Sequence, residues 1–162
     1  MAQLHQLHPT QETPIPGARV LLVESRFQGA IADELVAGAI ARLKAAQVEV
    51  EHIRVPGALE IPVAAAIALD AAARAAKPFD GLVALGCVIR GETFHFEIVA
   101  GESARALINL AVARRLPLGN GILTVENEAQ ALVRARRNEG DKGGEAASAA
   151  LALIRLARAG TT

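Results

Sequence analysis

Ten consecutive residues near the middle of the chain, Cys87-Val88-Ile89-Arg90-Gly91-Glu92-Thr93-Phe94-His95-Phe96, concentrate groups that can do chemistry. His95 is the best proton carrier among them, because imidazole titrates near neutral pH. Gly91 lets backbone N–H groups converge on an anion, and Thr93 adds a hydroxyl. The other histidines are less promising: His5 and His8 lie in the polar N-terminal stretch, and His52 lies in an alternating strand-like run. Phe27, in a polar turn, either closes the core or offers a flat face to a heteroaromatic ring. Glu60, after Pro56-Gly57-Ala58-Leu59, either favours a helix N-terminus or accepts hydrogen bonds from substrate hydroxyls. Arg134, in ALVRARR, is either a solvated surface residue or a bidentate clamp for phosphate. Lys142 follows Asp141 at the start of the last helical stretch and either caps charge there or reaches a phosphate.

Several chemistries are disfavoured by what the sequence omits. Neither G-x-x-x-x-G-K-[ST] nor G-x-G-x-x-G occurs, so the common nucleotide cradles are missing. No Cys/His cluster has zinc spacing. Of the three lysines, Lys44, Lys77 and Lys142, none sits at a strand end where an enzyme-bound Schiff base is expected. Cys87 has no base near it in sequence and is a poor candidate nucleophile.

These residues need elements to position them. Arg19–Glu24 (RVLLVE) reads as a strand and Ile31–Ala46 as a helix, with apolar residues at Ile31, Leu35, Ala39 and Leu43. Val48–Val55 alternates like a strand near a sheet edge, with Val48, Val50, His52 and Arg54 on one face. Pro56-Gly57 stops it. Glu60–Ala76 reads as a helix with Pro62 in its first turn, and Phe79–Ile89 as a buried strand. A helix over Ser103–Arg115 that starts at Ser103 or upstream, a strand over Gly121–Val125, a helix over Asn127–Arg137 capped by Asn127 and a helix over Asp141–Ala159 capped by Asp141 complete the order. Strand and helix alternating four times predict an α/β fold: a three-layer αβα sandwich around a four-stranded, mainly parallel, flavodoxin-like sheet. In such sheets ligands bind at the carboxyl ends of the strands, where Phe27, Glu60 and the Cys87–His95 segment fall.

Length and composition bound the remaining choices. The chain has 162 residues, enough for one domain with a real core. A domain over residues 18–160, preceded by a flexible arm over residues 1–17, is the expected organisation. With 52% apolar residues it is not a disordered chain. Its 17 basic residues balance 17 acidic ones, so no general attraction to nucleic acid or an anionic membrane is expected. Aromatics make up only 2%, too few for a base-stacking platform. One cysteine fits a reducing compartment, and no signal-like or bilayer-length apolar stretch is visible. The expected location is the cytoplasm. The helix over Glu60–Ala76 is apolar nearly all round, which in so small a domain points to a subunit interface.

Taken in order, Arg26-Phe27, V-P-G-A-L-E-I-P at Val55–Pro62, G-C-V-I-R-G-E-T-F-H-F at Gly86–Phe96, G-I-L-T-V-E-N at Gly121–Asn127, Gln130-Ala131 and D-K-G at Asp141–Gly143 resemble the lumazine synthase family, over about Arg19–Ala159. The resemblance implies a transferase of riboflavin synthesis. It condenses 5-amino-6-(D-ribitylamino)uracil with 3,4-dihydroxy-2-butanone 4-phosphate to give 6,7-dimethyl-8-ribityllumazine, phosphate and water. It also implies no metal or redox cofactor, and an imine formed between the two substrates themselves.

By the same resemblance, Phe27 stacks on the pyrimidine ring, and Ala58, Leu59 and Glu60 bind the ring and ribityl chain. Cys87, Val88 and Ile89 line the ring edge through their backbone. Glu92 and Thr93 form the phosphate turn, with the backbone N–H of Glu92 rather than its carboxylate facing the phosphate, since two anions repel. His95 transfers protons, and Arg134 and Lys142 hold phosphate. Asn120 stands where many members carry a second stacking Phe, so one ring face is left to backbone or to the Asn120 amide.

Geometry adds a separate expectation. Phe27, Glu60 and His95 follow the carboxyl ends of strands one to three, whereas Asn120 precedes the predicted fourth strand, whose five residues span ~17 Å. Arg134 sits in a helix that runs ~10 Å back from the carboxyl edge. Two adjacent subunits of a ring can bring these groups together where one chain cannot, which calls for a heterologous interface. The family is built from pentamers, some closed into shells of twelve. Arg136-Arg137-Asn138-Glu139-Gly140 departs from the Gly-rich, Lys-bearing loop of shell-forming members, so a free homopentamer with sites between subunits is the expectation. A non-catalytic flavin or lumazine carrier of the same fold is the alternative, though it needs neither His95, Thr93 nor Arg134. A receiver-like signalling domain lacks its acidic pair here.

Overall fold

The computed structural model describes residues 12–160. Four strands, β1 (Arg19–Ser25), β2 (Glu49–Val55), β3 (Gly81–Ile89) and β4 (Leu118–Val125), alternate with helices α1 (Gly29–Ala45), α2 (Glu60–Arg74), α3 (His95–Arg114), α4 (Glu128–Ala135) and α5 (Lys142–Ala159). All strand pairings are parallel, in the order β2-β1-β3-β4. Alternate side chains of β1 enter opposite layers, as the two-residue period of a strand requires. Val20 and Leu22 pack with Leu35 and Leu43 of α1 and Leu151 and Ile154 of α5. Leu21 and Val23 pack with Ile61 and Ala65 of α2 and Leu107 of α3. The result is the expected three-layer αβα fold. The chain leaves β1 toward β2 on one side and returns to β3 on the other, so the carboxyl ends of β1 and β3 flank a topological switch point.

Of the arm expected over residues 1–17, residues 1–11, with His5 and His8, lie outside the described residues. Residues 12–17 are held against α5: Arg155 donates to Glu12 Oε2 at 3.1 Å, and Ile15 is buried and donates its N–H to Ala46.

Two elements start more than two residues away from where the sequence reading names their first residue. Helix α3 starts at His95, eight residues upstream of Ser103, so the upstream start holds, and His95 and Phe96 belong to its first turn rather than to a loop. Its first two turns carry Ile98 and Val99 but no one-sided apolar stripe, since Ile98 is itself exposed. Strand β4 starts at Leu118 rather than Gly121, and Asn120 therefore lies within the strand, paired with Ala84, instead of before it. The two glycines that hid this strand signal are packing requirements. A Cβ on Gly119 would stand 1.8 Å from the carbonyl oxygen of Ala146, so α5 crosses β4 with its backbone almost touching. Gly143 makes the same close approach to α1, where a Cβ would stand 1.9 Å from the Leu35 carbonyl oxygen.

The two expected caps are present. Asn127 Oδ1 accepts from the Gln130 N–H at 2.9 Å, and Asp141 Oδ1 from that of Gly144 at 3.3 Å. Asp141 is also gripped by Arg42 at 2.9 Å, which fixes the entry to α5 beside Lys142. Among the described residues no helix is long and apolar enough to cross a membrane.

Candidate active site

Strand β3 outruns β1. The β1–β3 ladder ends at Glu24 and Leu85, while β3 continues to Ile89, paired only with β4. From Cys87 to Ile89 the edge of β3 on the β1 side thus has no neighbouring strand, and its peptide groups border a cleft of about 320 Å³. Unpaired backbone donors and acceptors need partners, and a planar ring bearing amide-like edges can supply them as a strand would. Cys87 itself is nearly buried, and desolvation pushes its thiol up to about 11. At neutral pH it is a neutral, weakly nucleophilic wall.

The other walls come from the turns after β1 and β2. Phe27 is 79% exposed, an unusual position for an aromatic ring with no packing role in the core. It stands over the cleft with Gln28 beside it. Phe27 therefore does not close the core. Ala58 is buried in the α2–α3 layer, and Leu59 and Glu60 turn toward the cleft. Gly57 makes room for the Glu60 carboxylate, since a Cβ there would stand 2.9 Å from Glu60 Oε2.

The far end of the cleft is the turn between β3 and α3. Gly91, Thr93 and His95 line it, with Phe96 and Val99 behind them. Thr93 Oγ1 accepts from the His95 N–H at 3.4 Å. The turn therefore sits on the N-terminus of a 20-residue helix, which favours an anion. Glu92 is exposed and does not line the cleft. Arg90 clamps the turn from outside: its guanidinium pairs with Glu97 of α3, donates to Glu126 at 2.9 Å, and lies 4.3 Å from the centre of the Phe96 ring. The Arg90 hydrogen bond, aided by a backbone one, holds the Glu97 carboxyl below the usual carboxylate range.

The remaining candidates form a second, separate group. Asn120, Arg134 and Lys142 line a cavity of about 410 Å³ along the outer edge of β4, between α4 and α5. It shares no residue with the first cleft. Asn120 is exposed, and its Oδ1 accepts from the N–H of Ile122 at 3.0 Å. Arg134 is exposed in the last turn of α4 and donates to the Gln130 carbonyl at 3.0 Å. Lys142 rests on Glu145 one helical turn away.

The sequence candidates are thus gathered into two places in one chain. Phe27, Ala58, Leu59, Glu60, Cys87, Val88, Ile89, Thr93 and His95 meet in the first; Asn120, Arg134 and Lys142 meet in the second. Residue reading missed Gln28, Phe96 and Val99, which line the first cleft without a distinctive type or spacing. It also passed over Arg90 and Glu24. A charged residue closing the apolar run RVLLVE was the available signal for the latter.

The sequence of the chain matches a known family. The sequence model described as 6,7-dimethyl-8-ribityllumazine synthase matches residues 17–158. A protein of that name from Azorhizobium caulinodans is 66% identical over 147 residues, 91% of each chain. Another, from Nitrobacter hamburgensis, is 56% identical over 158 residues, 98% of this chain and 97% of its own. A third, from Methylobacterium radiotolerans, is 62% identical over 144 residues, 89% of this chain and 85% of its own.

Proposed function

The chain belongs to the 6,7-dimethyl-8-ribityllumazine synthase family, and from that premise we propose that it condenses 5-amino-6-(D-ribitylamino)uracil with 3,4-dihydroxy-2-butanone 4-phosphate. The primary amine of the pyrimidine adds to the ketone and water leaves, giving an imine between the two substrates. Phosphate is then eliminated. The enol left by that elimination tautomerises to a ketone at the former hydroxyl-bearing carbon, and the ribityl-bearing nitrogen closes the ring on this new carbonyl, with loss of a second water.

The observation that carries this reading is the cleft at the end of β3. An unpaired strand edge, an exposed Phe27 and the Glu60 carboxylate provide for a planar heterocycle with a hydroxylated tail. The ring lies against Phe27 with its edge on the Cys87–Ile89 backbone, and the ribityl hydroxyls meet Glu60. Gly91, Thr93 and the start of α3 receive the phosphate. His95, beside that turn, moves protons between the amine and the departing groups. Most of the rate comes from alignment, since holding two reactants in register contributes ~7–11 kcal/mol in favourable cases against ~10²–10⁴-fold for a proton relay.

Arg134, Lys142 and Asn120 complete the site from a neighbouring copy. What supports this is their separation from the first cleft and their place on an open sheet edge. The apolar residues exposed on α2 and α3, among them Val63 at 61% and Ile67 at 65%, favour burial by a neighbour. A cyclic pentamer built from residues 18–160, working in the cytoplasm, is the assembly we favour, and sedimentation should report five times the chain mass of 16.8 kDa. Mixing the protein with both substrates should generate lumazine fluorescence. Binding of the fluorescent product without any turnover would instead identify a carrier and overturn the enzymatic reading.

A further inference from the structure

Glu24 is a carboxylate with 0% exposure, and no step of the condensation uses it. It shares its face of β1 with Val20 and Leu22, which are ordinary core residues. A buried ionised carboxylate is strongly unfavourable unless paired, and a well-packed apolar side chain would serve stability as well or better. Glu24 is paired three times, and each partner leads toward the ring-binding wall. Its Oε2 accepts from Arg26 at 3.0 Å, and the same guanidinium nitrogen donates to Asp33 of α1 at 2.9 Å. Its Oε1 pairs with His52 Nε2 at 2.9 Å and accepts from Arg54 Nε at 3.1 Å. Arg26 is the residue before Phe27. Arg54 lies at the end of β2, just before Pro56 and the Gly57–Glu60 turn, and His52 lies on the same strand two residues earlier.

We propose that Glu24 is a positioning residue for the pyrimidine platform, holding the Phe27 turn through Arg26 and tying it to the end of β2 through His52 and Arg54. The platform needs such a device because Phe27, at 79% exposure, gains almost nothing from the core. Burial does not set the ring's position, so polar anchors must. The backbone contributes one further tie, from the Arg26 N–H to the Val55 carbonyl at 3.0 Å. The side-chain network determines how far the turn can tilt about that hinge. A neutral group at Glu24 removes the negative charge that Arg26 and Arg54 share, and a shorter one removes the common acceptor of Arg26, His52 and Arg54 as well.

This inference rests on the reading of Phe27 as the ring platform, and the test separates the two. Affinity for 6,7-dimethyl-8-ribityllumazine, followed by fluorescence titration of the full chain, reports the platform without involving phosphate. Arg26→Gln cuts the link at a partly exposed side chain, so folding is not at stake, and this variant decides the question even where Glu24→Gln is too unstable to purify. Arg26→Gln should weaken product binding about ten- to a hundredfold, while the KM for the butanone phosphate stays within about twofold. A purified Glu24→Gln should show the same selective loss. Unchanged product binding in Arg26→Gln, alongside weakened binding in Phe27→Ala, overturns the positioning role and leaves the platform standing. Unchanged binding in Phe27→Ala overturns the platform and the positioning role with it. Equal losses for both substrates in Arg26→Gln also overturn it, since they mark general damage.

Discussion

At the scale of single residues, the cleft contains one thiol and one imidazole, and burial sorts them into different roles. Cys87 is desolvated, with its thiol pushed up to about 11, so it stays protonated across the working pH range. Alkylation by iodoacetamide at pH 8 should therefore be slow, and Cys87→Ala should keep most of the turnover; rapid labelling with parallel loss of activity would contradict this. His95 is exposed at the first position of α3 and lines the cleft. His95→Ala should lower kcat by roughly 10²–10⁴-fold at most while product affinity is kept. Total loss in a correctly assembled, ligand-binding variant would show that proton transfer, not alignment, carries the rate.

Elements decide whether those residues meet. The turn at the end of β3 depends on Arg90, which joins β3, α3 and the end of β4 through Glu97 and Glu126. Glu97 titrates below the usual range in the folded state, so its contribution is complete above the ordinary carboxylate pKa and is lost as pH falls through the lowered one. Measured against the intrinsic exchange rate at each pH, protection of the amide of His95 should fall as pH drops through the lowered range of Glu97, and Glu97→Gln should reduce that protection already at neutral pH. Packing of α5 is a second such dependency. Gly143→Ala places a Cβ where the Leu35 carbonyl oxygen stands and should cost about 3 kcal/mol or more in a urea melt. The order of strands and helices was legible in the sequence because each strand's apolar run is bounded by turn residues. The exact start of α3 was not, since its first two turns bury no residue and leave Ile98 exposed, so no one-sided apolar stripe marks them. The start of β4 was not, because Gly119 and Asn120 read as a turn when considered apart from α5. The cleft residues were legible as types in a familiar order; the overrun of β3 past β1, which gives the ring edge its unpaired backbone, depends on strand register and is written in no single residue.

For the whole molecule, the division of candidate residues between the carboxyl-end cleft and the outer edge of β4 is the central fact. Two variants, each crippled in a different half, make the sharpest test of that division. In the proposed assembly, where each cavity draws one half from each of two neighbours, Phe27→Ala/His95→Ala and Arg134→Ala chains, each feeble alone, should regain about a quarter of the native sites when co-assembled at random. No recovery in mixed assemblies would mean that one chain builds its site unaided. The fold has a further consequence, for synthesis. Helix α5 lies over α1 and β4 with its backbone in close contact at Gly143 and Gly119, and it is the latest of the described elements to leave the ribosome. Until residue 159 has emerged, Leu35 and Leu43 of the nascent chain stay uncovered, so half of the core is sealed in a single late event. Any translational pause before that point prolongs the interval in which a chaperone must shield the growing polypeptide.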